Sequence, residues 1–393
     1  MQNSVSLPSL DRGVTLRDVA EAVGVSVQSV SGVLNEGGTP KRVSPHTRQR
    51  ILEVAEELGY RRNHSARAMR TGDTRMLGFL GGDLSEEHVG KMLSGAVEAA
   101  DACGYTLKIL RLGDLGNAQQ VIRRSSELRL MGVLALHLPA LTQADLHAEA
   151  RRYGYPLVLM DARSDRKDIP QVVSDDEAGI REGVRHLVEL GHRRIAFLSA
   201  QEDSEVLSGG SQKPSLAGLA HPRQKAFLAA MAHHDLEVAP ELIACGSFST
   251  REVSLQAAHI LLSLPSKRRP TAIFCAGDFI ALAALQAAQK RGIVVPDQLS
   301  LIGFANLGVL DFVTPRLTTI EQPFLDIGRS AVHVLLRVIE SQGKQETGSS
   351  ETPPNSLSDE SCSSVSAFNG PLFLPTRLLQ RESTAPPPQK ASL

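Results

Sequence analysis

Apolar residues recur along this chain with two different periods, and the change of style falls near Met76. Between Thr15 and Leu58 the pattern is helical and the connections are short. Leu16, Val19, Ala20 and Val23 share one face, and Thr15 and Asp18 have the spacing of a capping box. Gly24 follows where a tight turn needs a residue tolerant of positive φ. Ser26 can cap a second helix, 27–34, with Val25, Val30 and Val33 as buried contacts. Ser44-Pro45 opens a third helix, with Ile51, Leu52, Ala55 and Leu58 inward and Gly59 as terminator.

From Met76 onward, short apolar runs alternate with amphipathic helical stretches. Strands are expected at 77–80, 106–110, 132–136, 157–160, 195–198, 272–275 and 300–304, and helices at 178–190, 227–234, 251–262 and 279–290. Repeated βα units predict parallel, doubly wound sheets, and a stretch this long makes two lobes rather than one. The fold class is therefore α/β. It comprises a three-helix headpiece, a connecting segment and two doubly wound parallel-sheet lobes.

Other segments carry no such rhythm. Residues 1–12 read as a disordered polar leader, and 61–73, RRNHSARAMRTGD, as a basic linker. Residues 201–220 are Ser- and Gly-rich and read as a surface loop, and 341–370 are low-complexity and expected to be disordered. Residues 371–385 hold one more ordered segment, before a tail at 386–393.

Composition narrows the picture modestly. A 42% hydrophobic and 22% charged chain is ordinary for a globular protein, and a net charge of −1 points to no particular partner. Residues 1–75, however, hold eleven Lys/Arg against eight Asp/Glu, a mildly basic head on an acidic body. The four cysteines are far apart and form no CxxC, which argues against zinc ribbons and redox motifs and for a reducing cytoplasm. The N-terminus lacks an apolar signal core, and no run of about 18 apolar residues occurs, so neither export nor a membrane is expected.

Ala20, Gly24 and Val30 have the offsets of a helix-turn-helix: a small residue at the helix crossing, Gly in the turn, a β-branched anchor in the second helix. Val27, Gln28, Ser29, Ser31 and Gly32 then face outward. Gln can bond adenine with two hydrogen bonds, Ser can bond bases or phosphates, and Val can meet a thymine methyl. The plainer reading is a three-helix bundle with a polar face. Catalytic chemistry finds no support: GxGxxG after the first strand, a Walker lysine loop, GxSxG and HExxH are all missing. His233-His234 reads as a solvated helix end, and no catalytic residue, cofactor or metal is expected.

The run VTLRDVAEAVGVSVQSVSGVLN, followed by RVSPHTRQRILEVAEELGYRRNHSARAMRTGDTRMLGFL, resembles the headpiece and hinge of the LacI/GalR family of transcriptional regulators. The resemblance continues through SDDEAGIREGVRHLVELGHRRIAFLSA, TAIFCAGDFIALAALQAAQKRGIVVPDQLSLIGF, TPRLTTIEQP and LPTRLLQRESTAPP, about residues 14–388 apart from two low-complexity insertions. It implies a DNA-binding domain at 13–60, a hinge at 61–73 with a hinge helix from Asn63 to Met69, and a sensor core of periplasmic-binding-protein type. The core's N-lobe is expected at 74–173 plus 303–323 and its C-lobe at 174–302 plus 324–385, with the chain crossing near Val173, Phe304 and Pro323.

The resemblance further implies a cytoplasmic repressor, a homodimer on pseudo-palindromic double-stranded operator DNA, whose affinity a small polar effector modulates; a sugar or sugar derivative is expected. DNA contacts fall to Thr15, Ser26, Val27, Gln28, Ser29 and Ser31 in the headpiece. In the hinge they fall to Asn63, Ala66, Arg67 and Met69, with Met69 at the position of an apolar minor-groove wedge. Effector contacts fall to His88, Asp161, Asp175, Arg223, Phe248 and Asp278, in a cleft at the carboxyl ends of the strands. Three departures stand out. Gly32 replaces the family's usual Arg, His88-Val89 replace an aromatic pair, and Gly303-Phe304-Ala305-Asn306 replace GFDD, losing a carboxylate. The alternative is a solute-binding protein with the same core, which would call for a signal peptide and no headpiece.

Overall fold

The computed structural model describes residues 13–34, 43–60, 73–81, 83–111, 118–136, 140–162, 164, 168–201, 221–248, 250–347 and 370–388. The chain divides into two compact units between Thr74 and Arg75. The predicted leader and most of the predicted hinge, including Asn63, Ala66, Arg67 and Met69, lie outside the described residues, as do 202–220 and 348–369.

The smaller unit holds α1 (Leu16–Val23), α2 (Val27–Leu34) and α3 (Pro45–Glu57). Thr15 starts α1 with a full capping box. Its N–H and hydroxyl donate to the Asp18 carboxylate at 2.7 and 2.8 Å, and its hydroxyl oxygen accepts the Asp18 N–H at 3.4 Å. Gly24 ends the helix at φ 78°, a left-handed conformation that costs glycine little, and its N–H closes on the Ala20 carbonyl at 2.9 Å. That reversal lets the Ser26 hydroxyl accept the Ser29 N–H at 3.2 Å and start α2. Ser44 does the same for α3, accepting the Thr47 N–H at 3.1 Å ahead of Pro45.

Val19, Ala20, Val30, Val33, Leu34, Ile51, Val54 and Ala55 make the shared core. Leu52 and Leu58, expected inward, are instead each 41% exposed. The buried stripe of α3 is Ile51, Val54 and Ala55; Leu52 lies about 100° round the helix from Ile51, and Leu58 follows the last turn.

The larger unit contains two six-stranded sheets. The first runs β11-β5-β4-β3-β1-β2, with β1 (Met76–Gly81), β2 (Thr106–Arg111), β3 (Gly132–Leu136), β4 (Leu157–Met160), β5 (Gln171–Ser174) and β11 (Pro371–Leu374) all parallel. The second runs β12-β10-β9-β8-β6-β7, with β6 (Ile195–Gln201), β7 (Ile243–Ser247), β8 (Ala272–Cys275), β9 (Ser300–Ala305) and β10 (Thr318–Glu321) parallel. β12 (Arg377–Leu379) closes its edge antiparallel to β10.

Helices α4 (Glu87–Ala102), α5 (Ala118–Glu127), α6 (Ala140–Arg152) and α11 (Phe324–Thr347) belong with the first sheet. Helices α7 (Asp176–Glu189), α8 (Pro222–His233), α9 (Arg251–Leu262) and α10 (Asp278–Lys290) belong with the second. Each strand the alternation predicts is present.

The lobe boundaries differ from expectation. The chain crosses between sheets at 174–175, 322–323 and 375–376, and not near Phe304. Residues 303–323 belong to the C-lobe, because β9 and β10 extend its sheet and Phe304 is fully buried in its core. Residues 324–347 and 371–374 return to the N-lobe, where Ile327, Ala331, Val332 and Leu335 of α11 join the core beneath β1 and β3. α11 also continues through Ser341 to Thr347, into what reads as a low-complexity stretch; Gln342, Lys344, Gln345 and Glu346 are good helix formers.

α4 and α11 cross in near contact. A Cβ at Gly95 would overlap the Leu325 carbonyl, and one at Gly328 the Met92 carbonyl, so only glycine fits at either position. Gly328→Ala should therefore destabilise the core by about 2–3 kcal/mol, since backbone must move to admit one methyl. Chemical denaturation of the two proteins side by side checks this, and an unchanged midpoint would show the crossing to be loose.

Candidate functional site

On the headpiece, the capped turn fixes which side of α2 meets solvent. Val30, Val33 and Leu34 are buried, while Ser26, Val27 and Gln28 are exposed and Ser29, Ser31 and Gly32 partly so. Val27 is 43% exposed, an apolar group left at the surface of the first turn beside an amide side chain. Ser26 and Ser29 share a hydroxyl–hydroxyl bond at 2.9 Å, so each can still offer an oxygen outward. Thr15 is different: its amide and hydroxyl are both committed to the capping box.

In the core, the second sheet presents its strand ends to a waist where the chain passes between the lobes. Arg223, in the first turn of α8, is the centre of the arrangement. Its Nε donates to Asp176 Oδ2 at 2.8 Å and its Nη1 to the Ala276 carbonyl at 2.7 Å. Its guanidinium lies 3.9 Å above the centre of the Phe304 ring. The side chain is only 12% exposed, and Nη2 has no partner among the described residues.

Asp176 was not anticipated, and Asp175 beside it was. Asp175 caps α7, accepting the Ala178 N–H at 3.0 Å, which leaves Asp176 as the first helical residue with its carboxylate turned to Arg223. The SDDEAG run carried that signal, because a cap immediately before a helix frees the next side chain. Asp176 Oδ1 accepts the Ser174 hydroxyl at 2.5 Å, and buried Gln322 donates to that hydroxyl at 2.8 Å.

Asp278 shares the neighbourhood, but its carboxylate faces inward. It is 1% exposed, with Oδ1 accepting the Thr319 hydroxyl at 2.7 Å and Oδ2 the Leu307 N–H at 2.8 Å. Burial pushes its carboxyl pKa up, against hydrogen bonds that pull it down. Asp278 thus anchors the loop after β9, where Ala305 and Asn306 both have positive φ. Asn306 is held in turn, donating to Glu321 at 2.9 Å and accepting from Arg381 at 2.8 Å. From the N-lobe, Glu87 accepts the Gly308 N–H with both oxygens at 2.9 Å.

Phe248 follows β7 and is 36% exposed, its ring 5.7 Å from that of His221. It also walls an open groove of about 580 Å³ along α9 and α10. Arg223 and Phe248 thus lie beside Ala276 and Gly277, next in sequence to Asp278. Two others sit apart, on the N-lobe. His88 lies at the start of α4 with its ring 5.8 Å from that of Phe324 and its Nε2 3.3 Å from Glu86. Asp161 directly follows β4 at φ 49°, its N–H donating to the Val172 carbonyl at 2.9 Å. No group of His, Cys, Asp and Glu that could hold a metal occurs among the described residues.

Asp278→Ala should cost the core about 2–4 kcal/mol, because the Leu307 N–H and the Thr319 hydroxyl would be left buried without their acceptor. A denaturation midpoint unchanged from the parent would overturn that anchoring role.

Comparison with known proteins identifies the family of both units. Residues 15–63 match the model of bacterial regulatory proteins of the lacI family, and residues 184–361 that of the periplasmic binding protein-like domain. The HTH-type transcriptional repressor PurR of Aliivibrio fischeri (strain MJ11) is 31% identical over 329 residues, covering 84% of this chain and 92% of its own. The HTH-type transcriptional repressor CytR of Escherichia coli (strain K12) is 30% identical over 338 residues, with the same two shares, 84% and 92%. The Lac repressor dimer bound to operator and the anti-inducer ONPF superposes with a TM-score of 0.73 at 23% identity, over 95% of this chain and 100% of that one. With a relative this similar over most of both chains, the protein belongs to the lacI family of bacterial regulatory proteins and is a DNA-binding transcriptional regulator.

Proposed function

We propose that the protein is a ligand-responsive repressor that reads a pseudo-palindromic operator as a homodimer and senses a small polar metabolite, a sugar or sugar derivative, in the core cleft. One observation carries the reading of DNA: α2 is fixed by its Ser26 cap and its core contacts so that Val27 and Gln28 stand exposed on its first turn. This is where a recognition helix presents groups to base edges in the major groove. One headpiece buries too little surface for tight specificity, so two copies on two half-sites are required. The Lac repressor of like fold is itself a dimer on operator.

For the effector, the support is Arg223. It sits over the Phe304 ring, is bonded on two sides, and keeps donors available at the strand ends. Phe248 adds an exposed aromatic wall nearby. Such a site suits a ligand with fixed acceptors and donors, and no described group there is arranged for bond making or breaking. Effector and operator affinities must then be linked reciprocally, each by the other's coupling free energy.

Gln28→Ala should weaken operator binding by about 1–3 kcal/mol and relax preference at one base pair per half-site. Selection of bound DNA from a random pool, followed by titration of both proteins, measures this. Equal weakening on operator and random DNA would make Gln28 a backbone contact.

Arg223→Ala should abolish the effector response in a DNA-binding assay while leaving ligand-free operator affinity unchanged. A variant that responds like the parent would remove Arg223 from the effector site.

A further inference from the structure

We propose that Asp176 sets the charge class of the effector: the cleft takes an uncharged polar ligand and rejects phosphorylated or carboxylated ones. This rests on the reading of the cleft as the effector site and adds what that site selects.

A cleft at the ends of parallel strands ordinarily favours anions, through helix N-termini and any arginine there. Here the chain supplies its own counter-charges to nearly all of them. Arg223 is bonded to Asp176 at 2.8 Å. α7 begins with Asp175 as its cap, followed by Asp176 and Glu177 in the first turn. α10 begins with Asp278. At the start of α8, Pro222 has no N–H to offer and the Arg223 N–H donates to His221 at 3.2 Å. Two further cations reach the loop after β9, Lys91 and Arg381, and they are paired with Glu87 at 2.7 Å and Asp311 at 3.6 Å.

The Arg223–Asp176 pair is also built to stay. Asp176 is fixed by the Ser174 hydroxyl, and that hydroxyl by Gln322, which is 6% exposed. Arg223 is fixed by the Ala276 carbonyl and the Phe304 ring. An anion drawn to Nη2 would therefore face the Asp176 carboxylate across the same guanidinium. The two side chains are only 12% and 21% exposed, so solvent screens that repulsion poorly. An uncharged ligand meets no such conflict. It can offer an acceptor to Arg223 Nη2 and a donor to Asp176 Oδ2, as adjacent hydroxyls or the edge of an amide or aminated ring do.

The test uses the full-length protein with matched probes: glucose, ribose, adenosine and guanosine, each beside its phosphate monoester. Binding is followed by thermal shift and calorimetry for the parent, Asp176→Asn and Arg223→Ala. The asparagine keeps the shape and an acceptor for Arg223 but removes the charge.

In the parent, at least one uncharged probe should bind and its phosphate ester should bind more weakly by about tenfold or more. Asp176→Asn should narrow or invert that ratio, with the gained anion binding weakening as salt rises. A phosphate ester that binds the parent as tightly as its uncharged partner would overturn the inference, as would an unchanged ratio in Asp176→Asn. Should no probe bind in a way that Arg223→Ala abolishes, the cleft reading itself fails and this inference falls with it. Loss of binding in Arg223→Ala with equal affinity for both members of a pair overturns the charge selection alone.

Discussion

The core is organised by the waist where the chain passes three times between its sheets, and the bonds that lace those passages together position the groups around the cleft. Gln322, on the second passage, donates to the Ser174 hydroxyl on the first at 2.8 Å. Thr376, on the third, donates to the Asp175 carbonyl at 2.8 Å, and the Asp175 N–H donates to the Leu374 carbonyl at 2.8 Å. These are buried or half-buried polar groups, so each must be satisfied and none can be moved cheaply. Asp175 and Asp176 lie at this junction, and Arg223 is oriented by what they hold. A two-lobed binding protein needs passages that can bend without losing register, and hydrogen bonds between neighbouring strands offer that where a single packed core would not.

Charge is handled differently at the two ends of the site. Asp278 is buried with both oxygens accepting hydrogen bonds, and it fixes a loop where Ala305 and Asn306 adopt positive φ, rare for Ala and tolerated by Asn. Arg223 and Asp176 remain partly open, with donor and acceptor capacity left over. The first arrangement gives shape, the second gives chemistry, and a few residues of one strand end, 276–278, connect them.

Much of the fold was legible because hydrophobic periodicity is a local property. The headpiece caps, the turn at Gly24 and each strand rich in apolar residues followed from neighbours a few positions apart, where helix and strand geometry dictate spacing. β5, β7, β10 and β12 are short or mixed in polarity and carry no such pattern; they are strands because an adjacent edge offers them a ladder. Leu52 and Leu58 show the reverse error, since apolar character alone does not say which side of α3 the other two helices cover.

What the sequence determined by itself is thus a helix-turn-helix head, a doubly wound body and the family to which both belong, with Arg223, Phe248 and Asp278 drawn to one place. The tertiary structure decided the allocation of segments to lobes, because Phe304 is claimed by the C-lobe core and α11 by a glycine-lined crossing with α4. It also decided the division of labour among the carboxylates. Asp175 caps a helix, Asp278 anchors a loop, and Asp176 alone meets Arg223, 47 residues further along the chain. A carboxylate's role depends on which donors reach it first, and those donors come from elements distant in sequence that only the packed sheets bring together.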